Sequence, residues 1–262
     1  MRLFALGLAA TGALLASPGV ARAQGDWERV APGVEYAART TSVGRDSLTL
    51  RVVRVNPALA RVRVVAVYQA LQQHPGAYGY TLNEIVEATR PHVAINGGFS
   101  TSFSVPLPAG LLRIDSRTVK ALSARDSVLT GVLCLRAGHA RIVRREAYVA
   151  AECVHAVQAG PLLVDGSATV NVRNLARARS AVRRSVAALD RQGRLLLIIT
   201  GPVRLDSLAG VLARDEHLGG LAATVALNLD GDTHSALFVK RAAGPTTSGT
   251  PQVPIASVIL VQ

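Results

Sequence analysis

The sequence predicts an α+β fold: one domain of mixed, largely antiparallel β-sheet with a few flanking helices. Three observations carry that expectation. Short apolar runs recur along the chain, tight-turn residues join many of them, and helical periodicity is confined to two or three short segments. The 262 residues are 49% hydrophobic, enough for a packed core and too many for a disordered chain. The glycines have no period and no tract dominates, which excludes collagen-like and low-complexity classes. Two cysteines cannot build a disulfide-dense scaffold or a Cys-only zinc site.

In chain order, residues 1–23 read as a secretory signal peptide. Arg2 is the basic start, Leu3 to Ala16 the apolar stretch, and Ala21-Arg22-Ala23 the small-residue cleavage site. Residues 24–262 are then a single domain in the periplasm or outside the cell. No later apolar run is long enough to span a bilayer, so no stable membrane insertion is expected after cleavage. In that oxidising compartment Cys134 and Cys153 either pair or remain two buried thiols.

Residues 24–46 read as an irregular lead-in. Thr49–Val55 and Arg61–Tyr68 alternate apolar with basic residues, the pattern of half-buried strands, with a turn opening at Asn56-Pro57. Thr81-Leu-Asn-Glu84 is a capping box for a helix that stops at Arg90 before Pro91. His92–Asn96 is a short strand running into Gly97-Gly98. Further strands are expected at 111–114, 131–135, 140–143 and 156–164, the last broken at Gly160-Pro161. Asp165-Gly166 signals a hairpin, and Arg191-Gln-Gly193 joins strands 183–189 and 195–200. Leu205, Leu208, Ala209 and Leu212 mark a helical face, with Asp206 or Ser207 as its cap. Strands at 224–229, 236–240 and 255–261 close the chain.

The formal charge is +12, and 27 of the 29 basic residues are arginine, since lysine occurs only at 120 and 240. Such a charge suits an anionic partner. The basic residues are spread rather than blocked, aromatics are 4%, and no binding motif occurs, so nucleic acid is not the expected partner. Metalloprotease, P-loop, nucleophile-elbow and dinucleotide motifs are absent, and no cofactor is expected.

Four segments could carry chemistry. Asn96-Gly97-Gly98 ends a buried strand with glycines that let backbone approach a ligand. Gly160-Pro161 interrupts an apolar run. Arg183-Arg184-Ser185 heads a strand, where an inward arginine would bind phosphate. Asn228-Leu-Asp230-Gly231 puts a carboxylate at the end of a buried strand, costly unless paired or functional. Asp230, Asp232 and His234 alternate, which would place all three on one strand face; His234 is then an acid, a ligand to a bound cation or a surface residue.

In this order, the segments VAINGGF, PLPAGLLRID, AVQAGPLLVDG, RRSVAALDRQGRLLLI and ALNLDGDTHSALFV resemble the phosphodiester glycosidase domain family, over about His92 to Ser257. The family's Asn-Gly-Gly matches Asn96-Gly97-Gly98, its Gly-Pro matches Gly160-Pro161, its strand arginine matches Arg184, and its Asp-Gly matches Asp230-Gly231. The chain departs from the pattern at Asp232 and Ala188, where glycines are usual, and at Ser100, where an aromatic is usual. The resemblance implies hydrolysis of a sugar phosphodiester at the glycosidic carbon, with Asp230 and Arg184 catalytic. Asn96, Gly97, Gly98, Gly160, Ser185, Asn228 and Gly231 would bind substrate, without a metal. The alternative is a noncatalytic periplasmic protein that binds glycans or sugar phosphates on the same fold.

Overall fold

Continuous apolar runs such as Leu195–Thr200 require burial on both strand faces, and the computed structural model provides it. It describes residues 27–67, 80–101, 106–175 and 178–262. The expected signal peptide lies outside the described residues. Three sheets surround a common core. The largest has eight strands in the order β1 (Glu28–Ala31), β2 (Val34–Val43), β3 (Asp46–Val55), β14 (Leu195–Thr200), β13 (Ser185–Asp190), β15 (Ala223–Asn228), β11 (Leu162–Asp165) and β12 (Ala168–Thr169). The second runs β7 (Arg117–Lys120), β6 (Leu112–Ile114), β10 (His155–Ala159), β8 (Gly131–Arg136) and β9 (His139–Arg144). The third runs β17 (Thr246–Gly249), β16 (Ala236–Val239), β5 (Val93–Asn96), β18 (Ser257–Val261) and β4 (Val62–Ala66). Every pairing among the described strands that form these sheets is antiparallel, so the sheets are not mixed.

The period of two decides which side chain goes where. Leu195, Leu197 and Ile199 of β14 point into the shared core with Val53, Ala187, Leu227, Ile95, Leu133 and Ile259. Leu196 and Ile198 point the other way, onto helix α2 (Leu205–Ala213). Each such leucine is worth about 1.5–3 kcal/mol of burial. The outer face of the third sheet is covered by helix α1 (Leu82–Thr89), which buries Leu82 and Ile85 against Ala94, Val258 and Leu260. The outer face of the second sheet is covered by the segment around Cys153, which is disulfide-bonded to Cys134 of β8.

The capping box forms as expected: Thr81 accepts from the Glu84 amide at 3.3 Å, and Glu84 accepts from the Thr81 amide at 2.8 Å. Arg90 ends α1 in a left-handed conformation. Other expectations need correction. Residues 28–43, expected to be irregular, form β1 and β2, and β2 pairs with β3 over ten residues. Their pattern is hard to read because Tyr36 and Ala37 are buried on opposite faces. The β3 strand is not half-buried, since Val52 and Val53 are both fully enclosed. α2 begins two or three residues earlier than expected, with Arg204 as its cap in place of Asp206 or Ser207, and Asp206 lies in the first turn, where it pairs with Arg204 at 3.0 Å and complements the helix dipole. At Gly160-Pro161 a cis peptide carries the chain from the second sheet into the first.

The Cys134–Cys153 bridge closes a loop with a sequence separation of 19. Replacing both residues with serine should lower the unfolding free energy by about 3 kcal/mol on the chain-entropy account. Urea unfolding of the double variant measures this, and an unchanged midpoint would show that the bridge adds no stability.

Candidate functional site

The three sheets bring several strand ends to one place. β5 ends at Asn96, β10 at Ala159 and β15 at Asn228, while β13 starts at Ser185. A cavity of about 340 Å³ opens there. Of the nine residues selected from the sequence, Arg184, Asp230, Asn228, Gly160 and Gly231 line it. Asn96, Gly97, Gly98 and Ser185 do not; they are buried beneath it.

Those four were expected to contact ligand, and the structure shows them engaged in packing and hydrogen bonds below the cavity lining. The Asn96 side chain is fully buried and saturated. Its Oδ1 accepts from Ser185 Oγ at 2.7 Å and from the Ala236 amide at 3.1 Å, and its Nδ2 donates to the Asp230 carbonyl at 2.7 Å. The Gly97 amide donates to the Ser257 carbonyl and its carbonyl accepts from the Asp230 amide. A Cβ on Gly97 would lie 2.3 Å from Ser257 Oγ, and one on Gly98 would lie 2.6 Å from the Gln158 carbonyl. The glycines allow strands to approach one another, and the approach of a ligand does not explain them.

Asp230 is held at both oxygens. Oδ1 accepts from the Gly231 amide at 2.9 Å, and Oδ2 lies 3.4 Å from His234 Nδ1. Arg184 is buried and held by backbone carbonyls: Nη2 donates to Ser180 at 2.7 Å and Nε to Val203 at 3.3 Å. Asn228 Nδ2 donates to the Gly160 and Leu229 carbonyls, both at 2.9 Å, while its buried Oδ1 has no hydrogen-bond partner among the described residues. An orphaned acceptor of this kind costs about 1–3 kcal/mol. Phe99, Pro161 and Leu205 supply apolar wall, and Asp126 and Asp232 add two further carboxylates.

His234 was not selected from the sequence, and a surface role was one option for it. It is instead 7% exposed and beside Asp230. Residues 232–234 form a single 3-10 turn, so Asp230, Asp232 and His234 do not share a strand face. No group of three metal-ligating side chains occurs among the described residues. The spacing of four from Asp230 is the signal in the sequence, and it fits a helical turn rather than a strand. The hydrogen bond to Asp230 raises the His234 pKa above the usual histidine value, helped by the charges of Asp230 and Asp232 and opposed by burial.

Two of the three departures from the family pattern can be placed in the structure. Asp232 sits at φ 59°, a left-handed backbone natural to glycine and tolerated by Asp. Ala188 is on the α2 side of β13, opposite Ala226 and away from the cavity.

Two outcomes are expected. Because the folded His234 pKa is raised, its contribution to stability is present below about pH 6.5 and is lost as pH rises through the folded value. The stability advantage of the wild type over His234→Gln should therefore shrink from pH 5 to pH 8 in parallel urea titrations; a constant difference would contradict the pairing. A Cβ at Gly160 would lie 1.8 Å from the Val128 carbonyl, whereas one at Gly231 meets nothing closer than 3.3 Å. Gly160→Ala should cost upward of about 3 kcal/mol, and Gly231→Ala under about 1 kcal/mol; thermal melts compare them.

Comparison with known proteins follows the same lines. A search of curated sequences finds no match. Among solved structures, the catalytic domain of zebrafish N-acetylglucosamine-1-phosphodiester alpha-N-acetylglucosaminidase, auto-inhibited by its pro-peptide, superposes with a TM-score of 0.64 at 14% identity, covering 88% of this chain and 84% of that one. A hypothetical protein from Synechocystis gives a TM-score of 0.60 at 16% identity over 87% of this chain, which spans 62% of that protein's length. A protein from Burkholderia pseudomallei described as exported gives 0.56 at 14% identity, covering 82% of this chain and 74% of that one. These likenesses show the fold. The sequence model of the phosphodiester glycosidase family matches residues 89–262, the larger part of the chain, and this protein belongs to that family.

Proposed function

We propose that this protein is a secreted hydrolase that cleaves sugar–phosphodiester linkages at the glycosidic carbon, acting on envelope or exported glycans. The observation that carries the reading is the meeting of Arg184 and Asp230 in one cavity, each just beyond the end of one of two paired strands. Family membership supports it, as does the zebrafish structural neighbour whose name specifies a glycosyl phosphodiester.

The chemistry follows from the leaving group. An ordinary glycosidase uses two carboxylates because a sugar alkoxide must be protonated as it departs. A phosphate monoester has a second pKa of about 6 and leaves without that help if its charge is stabilised. In our reading Arg184 binds the phosphate oxygens through the side of its guanidinium facing the cavity and offsets the developing charge. Asp230 takes a proton from water as the water oxygen bonds to the anomeric carbon. The bond from that carbon to the bridging oxygen breaks, and its electron pair stays on the phosphate. The products are the free sugar, the phosphate monoester and the proton on Asp230.

Each remaining residue then has a role. His234 and the Gly231 amide orient the Asp230 carboxylate. Asn228 Oδ1 would accept a hydrogen bond from a sugar hydroxyl after a small rotation. Phe99 and Leu205 would pack on the sugar ring. Asn96, Gly97, Gly98 and Ser185 position the Asp230 backbone and do not touch the substrate.

The test is turnover of a panel of sugar-1-phosphodiesters by residues 24–262, followed as free sugar released. Asp230→Asn and Arg184→Ala should each lower kcat/KM by at least about 100-fold, with folding checked by circular dichroism. Full activity in either variant would remove that residue from the mechanism. No turnover across the panel, with saturable sugar-phosphate binding that needs Arg184, would establish a noncatalytic binding protein instead.

A further inference from the structure

A second cavity, of about 390 Å³, lies at the opposite end of β10 from the Arg184–Asp230 cavity. β10 starts at His155, in the second cavity, and ends at Ala159 beside Gly160, in the first. Five strand residues separate them by about 16 Å. The same polarity is seen in the third sheet, where Val62 lines the second cavity and Ala66 pairs with Ser257 beneath the first.

Arg61 enters the second cavity from the β3–β4 connection, and Arg136 and His139 flank the tight turn between β8 and β9. All three are exposed, and none makes an ion pair or a side-chain hydrogen bond among the described residues. Other exposed arginines, Arg90 and Arg117 among them, also lack an ion pair among the described residues, but Arg61 and Arg136 are set apart by bordering a cavity together with His139. The acid in the wall is Asp115, whose carboxylate is 3.6 Å from His155 Nε2. His155 forms the floor, 4% exposed, with Nδ1 accepting from the Asp115 amide at 3.4 Å. Burial, with the nearby charges of Arg61 and Arg63, keeps its pKa below the usual histidine value. Leu59, 65% exposed, adds an apolar edge beside the basic groups.

We infer that this cavity binds the anionic group of a glycan, a phosphate or carboxylate on a sugar, between Arg61, Arg136 and His139, with the sugar's C–H face against Leu59. Guanidinium forks bind both anions through charge-assisted bonds. This inference takes the glycan from the hydrolytic reading but goes beyond it in the site, because the two cavities share no residue.

The test is NMR titration of the His139 and His155 ring signals with glucose 1-phosphate, glucuronate and glucose at 150 mM salt. Both anions should saturate the shifts, and glucose should not. A response to one anion alone would identify which of the two the site takes. The exposed pair Arg61→Ser and Arg136→Ser, made together, should weaken binding by at least about tenfold, while Asp230→Asn should leave it unchanged. The inference is overturned if neither anion moves the signals, if glucose moves them equally, or if the double serine variant binds as well as the wild type. Loss of binding in Asp230→Asn would place the ligand in the first cavity and overturn it too.

Discussion

The buried amide of Asn96 is the constraint on which the rest of the site depends. It joins the end of β5 to Ser185 at the head of β13, to Ala236 at the start of β16 and to the Asp230 backbone. Every partner is buried, so each bond is made where its loss would leave a costly orphan. The backbone of Asp230 is fixed by this network and by the Gly97 carbonyl. Its carboxylate can therefore be oriented by only two further contacts, the Gly231 amide and His234. An aspartate on an unsupported loop would have no such fixed direction.

Close strand packing imposes the second requirement. Three sheets can share one core only if their strand ends pass within van der Waals contact of each other. Gly97, Gly98 and Gly160 occupy the crossing points, where a methyl group would collide with Ser257, Gln158 and Val128. The cavity is the space left where these ends diverge, with Arg184 and Asp230 at its edge. Structural and functional residues are therefore neighbours in sequence yet differ in role: Ser185 locks the core and the adjacent Arg184 faces the cavity.

Charge is organised on two levels. Ten arginines among the described residues pair with a carboxylate, as Arg54 does with Glu35 while stacking on Trp27 at 3.9 Å. The exposed pairs among them, such as Arg141–Glu152, contribute little stability each. Arg61 and Arg136, which border the second cavity without an ion pair among the described residues, are of more consequence, because an anionic ligand can supply a partner. The two cavities differ in this respect. One combines a buried arginine with acids, suited to handling a charge that develops during reaction; the other presents exposed arginines, suited to holding a charge that is already present.

The sequence by itself determined the strand-rich class, the Thr81 capping box, most of the strands and the four motifs whose residues meet at one cavity or directly beneath it. Those are local matters of periodicity, turn chemistry and caps, together with motif order that resembles a family. β1 and β2 were not legible, because their burial is divided between two faces and the alternation is blurred. Tertiary structure alone decided which motif residues line the cavity and which support it. Nothing in Asn-Gly-Gly reveals that the amide is already saturated and that the glycines face Ser257 and Gln158. Nor does DGDTH reveal that a 3-10 turn, rather than a strand, brings His234 back to Asp230. Those assignments depend on partners as many as 140 residues apart in the chain, which no local pattern encodes.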